Sequence, residues 1–270
     1  MKVAAVQMSG IPGHLEANLD AIAARARAGA EAGFRLLLFP EISDLGYDMP
    51  SIAMHGPASW PRVRERLLGL SAECGVCLVC GVCLPGEDGL FNAQVAFGPR
   101  GSILAEYRKV HLFRGGDADE TGVFVPGRKL VAFDYEGVRF GMSVCYDLRF
   151  PELFRALALA GCHCLLLSSA WPRARIGVWQ PLCVARAVEN QCFLLGANRV
   201  GEQGAFSFGG RSLFVTPTGE AAVADGHDET LVPGDVDPQE VRAMRRAIPS
   251  LDHRRPEVYS EVPDHSAESL

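Results

Sequence analysis

Short runs of β-forming residues recur along this chain from one end to the other, and that recurrence restricts the folds open to it. KVAAVQM, RLLLFP, GVCLVCGVCL, NAQVAFG, SILAEY, KLVAFDY, VRFGMSV, HCLLLSS, QCFLLGAN, RSLFVT and TLVPGDV are strand-like. Several are apolar at nearly every position, as in strands covered on both faces. Helical spacing appears between some of them, over His14 to Ala32, Trp60 to Glu73, Pro151 to Ala160, Val178 to Asn190 and Pro238 to Arg246. Pro151 at a helix start and Gly161 just past its end follow the capping asymmetry of helices. Many strands with unevenly inserted helices predict an α/β protein with mixed sheets, two of which can stack face to face under outer helices. No linker, low-complexity tract or fixed-period repeat divides the 270 residues, so a single domain over 1–270 is expected.

Composition narrows the partners. Hydrophobic residues make up 48% of the chain, enough for a sizeable core. Twenty-six basic against 32 acidic residues give a net charge of -6 with no long basic block, which disfavours nucleic acid and anionic membranes as partners. No run approaches the roughly 20 apolar residues that cross a bilayer. Gln7, Ser9 and Pro12 interrupt the first apolar stretch, so a secretory signal is not expected. The odd count of nine cysteines, most in apolar strand-like segments, fits reduced thiols in the cytoplasm better than a disulfide framework.

Cys74, Cys77, Cys80 and Cys83 recur every three residues in AECGVCLVCGVCLPG, a spacing superficially like an iron–sulfur run. The residues between them, Val76, Leu78, Val79 and Val82, are β-formers. On a strand of period two, a three-residue spacing sends successive thiols to opposite faces, whereas a cluster needs the loop to curl round it. Buried small hydrophobes are therefore expected, with a metal-binding electron carrier or sensor as the alternative.

Cys145 is framed differently. It follows VRFGMSV and precedes PELFRALALAG, a strand, sharp turn and helix that would display a nucleophile at the strand's C-terminal end, although the G-x-S-x-G string is absent. A thiol is mostly protonated near neutral pH, so a catalytic cysteine needs a base and a neighbouring cation. None of the seven histidines stands in a recognisable Cys/His pattern: His163 reads as a core imidazole, and His111, just after EYRKV, as a supporting neighbour of Lys109. Glu41 in RLLLFPEIS and Lys109 in SILAEYRKVHLF also sit where strand-like runs end, the edge at which ligand sites of α/β folds collect. Brought beside one thiol, they would supply a general base and an oxyanion-stabilising cation. Taken singly, each charge is more often an ordinary surface residue.

FPEISDLGY, YRKVHLF and SVCYDLRFPELFRAL, in this order, resemble the three signature blocks of the nitrilase superfamily of carbon–nitrogen hydrolases. The likeness is nearly chain-long, since KVAAVQM, WQPLCVARAVENQCFLLGANRVG and GEAAVADGHDETLVPGDVD also match family positions. It implies a four-layer α-β-β-α sandwich of two mixed sheets, a homodimer or higher homo-oligomer, and neither metal nor organic cofactor. It implies Glu41 as base, Lys109 as cation and Cys145 as nucleophile, with Glu120 in ETGVFVPG orienting the lysine and Asp119 as the competing candidate. The backbone N–H of Tyr146 would serve the oxyanion.

Within the superfamily, CYDLRFPE, SSAWPRARIGVW and RAVENQ look most like the omega-amidase branch, which hydrolyses the terminal amide of 2-oxoglutaramate and related short amide acids. N-carbamoyl amines and deaminated glutathione are the alternative substrates, and a non-catalytic subunit the alternative role. A carboxylate-bearing substrate calls for a guanidinium, for which Arg173 and Arg175 are candidates, with Tyr47, Phe113 and Trp171 as pocket walls. LFRGGDADETG, Gly-rich and charged, suits a mobile loop over the site and departs from the usual branch pattern. Arg149 and Glu152 read as a structural ion pair at a helix start.

Overall fold

The computed structural model describes residues 1–115, 118–203 and 206–260. In chain order the strands are β1 (Lys2–Gln7), β2 (Leu36–Leu38), β3 (Cys77–Gly86), β4 (Gly89–Gly98), β5 (Ser102–Arg108), β6 (Ala132–Tyr135), β7 (Val138–Val144), β8 (Cys164–Ser169), β9 (Phe193–Asn198), β10 (Glu202–Gln203), β11 (Phe206–Ser207), β12 (Leu213–Val215), β13 (Ala221–Val223) and β14 (Thr230–Asp235). The helices are α1 (Leu15–Glu31), α2 (Met49–Cys74), α3 (Pro151–Leu159), α4 (Trp179–Asn190), α5 (Pro238–Ala247) and α6 (Pro256–Tyr259).

Two six-stranded sheets dominate, ordered β14-β1-β2-β3-β4-β5 and β13-β12-β9-β8-β7-β6. Each has a parallel centre, β1-β2-β3 in one and β9-β8-β7 in the other, flanked by antiparallel strands. The expected mixed sheets are present. Alternation along the strands makes the layers: Val3, Ala5, Leu36, Leu38 and Val79 join a core with Met142, Val144 and Leu166 of the opposing sheet. Their neighbours Ala4, Val6, Leu37 and Leu78 turn the other way, onto Leu19 and Ile22 of α1 and Val63 and Leu67 of α2. On the far side, Leu153 and Leu157 of α3 and Trp179 and Cys183 of α4 close the second sheet. The result is the four-layer α-β-β-α sandwich.

Helix α2 begins well before the Trp60 that sequence spacing marks. Pro57 and Pro61 lie inside it, and such residues usually end a helix because each removes a donor and crowds the preceding turn. Here the buried positions Met49, Ile52, Gly56, Ser59, Val63, Leu67 and Leu70 keep helical spacing straight through them, and Asp48 caps the start by accepting from Ser51 N at 3.0 Å. Burial of that face outweighs two missing hydrogen bonds.

The cysteine ladder runs along β3 as the period-two argument requires. Cys77 enters the core between the sheets, Cys80 the layer under α1 and α2, and Cys83 a small cluster beside Ile42 and Tyr47. Cys74 ends α2. Three thiols facing three environments behave as packing side chains.

After β2 the chain runs on alongside β3, with Phe39 N donating to Val79 O at 2.8 Å and Ser43 N to Gly81 O at 2.7 Å. Between those bonds it presses onto Gly81, where a Cβ would sit 2.5 Å from Glu41 Cα and 2.9 Å from Ile42 N. Those are backbone atoms with no free end to rotate away. Gly81→Ala is accordingly expected to lower the unfolding free energy by about 1–3 kcal/mol in urea titrations; an unchanged midpoint would contradict the close crossing.

Candidate active site

Glu41, Lys109, Cys145 and Glu120 all lie beyond strand ends at one edge of the sandwich: after β2, β5 and β7, and at the start of a 3-10 turn, Glu120–Gly122. Their convergence is direct. Lys109 Nζ stands 2.7 Å from Glu41 Oε1 and 2.8 Å from Glu120 Oε1, and all three side chains are 0% exposed. Asn92 Nδ2 spans the two carboxylates, donating at 2.7 Å to Glu41 Oε1 and at 3.2 Å to Glu120 Oε1. The remaining oxygens are also held: Ala170 N donates to Glu41 Oε2 at 2.9 Å and Phe113 N to Glu120 Oε2 at 2.7 Å. The Tyr47 hydroxyl donates to Glu120 Oε1 at 2.8 Å, so Tyr47 reaches the charged cluster as well as the apolar wall. Asp119 is exposed and caps its own turn by accepting from Thr121 N, which leaves Glu120 as the inward carboxylate.

Burial and charge compete in this cluster. Burial alone would push the Lys109 ammonium toward neutrality, but Glu120 and Glu41 outweigh it and hold its pKa above the ordinary lysine value. For Glu120, burial is the largest influence and raises the pKa, with Glu41 adding to it and Lys109 opposing. The Cys145 thiol is pushed well above its usual range, first by burial and then by the Glu41 charge, while Lys109 and the Ser169 hydroxyl favour the thiolate. A resting thiol beside a carboxylate that can accept its proton is the protonation state this environment selects.

Cys145 is 8% exposed and adopts φ 46°, in the left-handed region that a side-chain-bearing residue occupies at some cost. It opens a 3-10 turn, Cys145–Arg149, directly after β7. Asp147 holds that turn: its Oδ2 accepts from Val144 N at 2.9 Å and from the Tyr107 hydroxyl at 2.7 Å, and its Oδ1 from His111 N at 3.2 Å. His111 Nδ1 is 2.8 Å from the same oxygen, and its ring stacks on Phe150 at 3.7 Å. Tyr107 and His111 flank Lys109, so one buried carboxylate ties the cation's segment to the nucleophile's. His163, by contrast, accepts from Arg139 N and sits away from the site, with burial lowering its pKa, in keeping with a structural imidazole.

A cavity of about 370 Å³ opens above Cys145, lined by Tyr47, Phe113, Tyr146, Trp171, Phe206 and Phe208 with Arg149 and Arg175 among its polar residues. Tyr47, Phe113, Trp171 and Arg175, which the sequence reading names, are among the lining residues. Arg173 is not: its Nε donates to Ser207 Oγ at 3.0 Å and it lies outside the lining. Arg149 corrects another expectation, since it forms no ion pair with Glu152 among the described residues and instead stands over the Trp171 ring at 5.4 Å. Arg175 lies over Phe113 at 5.0 Å. The Gly-rich segment is described only in part, because Gly116 and Asp117 lie outside the described residues; Gly115 and Ala118 on either side line the cavity.

Sequence reasoning missed Asn92, Asp147, Arg149, Arg199 and Asp44. Arg199, 1% exposed, donates from Nε to Glu41 O at 3.0 Å and from Nη2 to Ile42 O. Asp44, three residues beyond Glu41, accepts from Cys83 N at 3.0 Å. Only a polar residue inside an otherwise apolar strand, as in FNAQVAF for Asn92, hinted at any of them.

A carbon-nitrogen hydrolase family model matches residues 2–246. The 2-oxoglutaramate amidase of Bacillus subtilis (strain 168) is 32% identical over 225 residues, covering 83% of this chain and 86% of that protein. Human omega-amidase NIT2 is 30% identical over 246 residues, covering 87% and 88%. Among solved structures, the nitrilase-superfamily amidase from Nesterenkonia sp. AN1 in complex with butyramide superposes with a TM-score of 0.86 at 30% identity, covering 97% of each chain. The E41Q mutant of that amidase, with a TM-score of 0.87, shows covalent addition of the acetamide moiety of fluoroacetamide at its active site cysteine.

Asp44 supplies a pH test. Burial raises its carboxyl from 3.8 to about 7, against the opposing hydrogen bonds from backbone N–H groups and the Arg199 charge. The native carboxyl therefore binds its proton more tightly than the unfolded chain does. Stability from this group is fullest below about pH 4 and declines as the pH rises toward about 7. Asp44→Asn should flatten that part of the urea-midpoint profile, and an identical slope in both proteins would refute the assignment.

Proposed function

The chain belongs to the carbon–nitrogen hydrolase family, and from that premise we propose that it hydrolyses the terminal amide of a short carboxylate-bearing substrate of the 2-oxoglutaramate type. The supporting observation is one juxtaposition: a thiol at the floor of an aromatic cavity, beside a buried ammonium held between two carboxylates, with two exposed arginines lining the same cavity. Neither arginine has a carboxylate partner among the described residues. A small acid amide would fill this space with its carboxylate toward Arg149 and Arg175 and its amide carbon over Cys145. The names borne by the Bacillus and human relatives point to the same substrate class.

In this reading Glu41 takes the proton from Cys145 as sulfur attacks the amide carbon. Lys109 and the Tyr146 N–H stabilise the oxyanion, and Glu41 returns the proton to the departing ammonia. Water, deprotonated by Glu41, then attacks the thioester carbon; the bond to sulfur breaks and the thiol is restored. Glu120 keeps Lys109 in place and charged. Three further proposals accompany it. The chain acts as one domain, since the family match runs unbroken over most of it. It works in a reducing compartment, the cytoplasm, since all nine cysteines are free thiols. It forms a homodimer, for which the exposed Leu159 of α3 and Val188 of α4 offer apolar surface.

Ammonia release from 2-oxoglutaramate, succinamate and an N-carbamoyl amine tests the assignment. Cys145→Ala should abolish turnover, and Lys109→Met should cost at least about 10²–10³-fold in kcat; a fully active variant of either would overturn the roles. Turnover of the carbamoyl amine alone would keep the chemistry and discard the substrate. Arg149→Met or Arg175→Met should cost roughly 10–100-fold in kcat/KM for the acid amides and little for uncharged butyramide, the worth of a charged hydrogen bond. Equal losses on both substrates would remove the carboxylate-binding role.

A further inference from the structure

We propose that Arg199 is a positioning residue for Glu41: its guanidinium fork grips the Glu41 and Ile42 carbonyls and thereby sets the turn that aims the Glu41 carboxylate at Lys109 and Cys145. The inference rests on Glu41 being the general base.

Arg199 leaves the second sheet just after β9 and reaches across to the first, where Met8 and Arg199 form a parallel bridge. A guanidinium taken out of water normally has a carboxylate clasped in its fork, because removing its hydration is otherwise uncompensated. Here Nε and Nη2 go instead to two successive backbone carbonyls, and Nη1 has no hydrogen-bond partner among the described residues. Successive carbonyls of an extended strand point to opposite sides, so a single fork can take both only where the chain turns. Ile42 provides that turn with φ 45°, a conformation rare for a β-branched residue. The fork holds that turn at its carbonyls, beside the bond from Gly46 N to Ile42 O at 3.0 Å and the burial of the Ile42 side chain. The turn matters because Glu41 has no rigid element of its own: β2 ends at Leu38, and the Glu41 backbone N–H has only a long bond, 3.4 Å, to Ser169 O. Lys109, Asn92 and Ala170 N hold the carboxylate itself, while the backbone it springs from is held by Arg199 together with the Ser43 N bond to Gly81 O at 2.7 Å.

The negative charge of the site adds a second reason for a guanidinium there. Lys109 is the one cation in contact with both the Glu41 and Glu120 carboxyls among the described residues. Arg199 supplies a further positive charge behind Glu41 without occupying the face that meets the thiol.

The test compares wild type, Arg199→Lys, Arg199→Met and Gly10→Ala. A Cβ on Gly10 would overlap Arg199 Nη1, so that last change displaces the fork with the charge retained. For each we would measure kcat and KM on 2-oxoglutaramate, thermal midpoint, and the rate at which iodoacetamide alkylates Cys145, followed on the Cys145 peptide by mass spectrometry. In that alkylation sulfur bonds to the methylene carbon, iodide leaves and the thiol proton is lost, to Glu41 where that base is aimed at it, so the rate and not the occurrence of alkylation reports the base independently of the substrate. Misaiming the base should lower kcat about 10²-fold with KM within about twofold in Arg199→Met. Alkylation should slow in parallel, Arg199→Lys should fall between, and Gly10→Ala should shift in the same direction. A folded Arg199→Met, or Gly10→Ala should Arg199→Met not fold, that melts earlier yet keeps wild-type kcat and alkylation rate would overturn the inference, as would a loss confined to KM. Glu41→Gln separates the two readings: full activity there removes the general base itself, whereas an inactive Glu41→Gln beside active Arg199→Met and Gly10→Ala removes only the positioning role.

Discussion

The contact between Lys109 and the two carboxylates of Glu41 and Glu120 governs the rest of this structure. Ionised groups removed from water are tolerable only when their hydrogen-bonding capacity is filled, and here it is filled almost completely. Two backbone N–H groups, the Asn92 amide and the Tyr47 hydroxyl come from separate segments to the same few ångströms. Each donor fixes its own segment, so the charged cluster constrains where the ends of β2, β4, β5 and β8 can lie relative to one another. Gln94 and Ser168 assist it, with Gln94 Nε2 donating to Ser168 Oγ at 2.8 Å and Ser168 Oγ to Phe39 O at 2.7 Å across the two sheets.

Around this cluster the backbone departs from relaxed geometry at two places, Ile42 and Cys145, with φ 45° and 46°. One follows the carboxylate residue and the other is the thiol residue. Both are clamped by buried groups, Arg199 from far along the chain at the first and Asp147, two residues on in the same turn, at the second. Strain of this kind persists only where surrounding structure overdetermines it. The core provides that rigidity, since the strands leading into both turns are buried on both faces.

The legible part of this architecture was the part written in local pattern. Apolar runs marked the strands, Pro151 and Gly161 bracketed α3, charges at the ends of strand-like runs marked Glu41 and Lys109, and a strand, turn and helix frame marked Cys145. The three-residue cysteine spacing was likewise decidable from strand periodicity alone. What stayed hidden depended on contacts between segments far apart in the chain. Asn92 lies 51 residues from Glu41 and Arg199 lies 158 from it, and each reads locally as a polar interruption of a strand or its end. Arg149 was misread for a related reason: three residues before Glu152 and at a helix start, it has the spacing of an ion pair, whereas the Trp171 ring draws it over the cavity. Proline misled in the same way at α2, where the burial of one face overrode local punctuation.

The division of labour that follows is between an inner region that tolerates no change of charge and an outer one that can vary. Inside, every acceptor oxygen of Glu41 and Glu120 is committed, so an altered charge there strands a buried partner. Outside, Arg149 and Arg175 rest on aromatic faces in a part of the cavity that remains solvated, and a guanidinium so placed can turn toward an incoming anion at little cost. In the proposed reading, chemistry on the amide and choice of acid therefore fall to different residues, on different elements, under different dielectric conditions. A fold organised in this way can change the acid it accepts by exchanging surface arginines while its thiol, ammonium and carboxylates stay as they are.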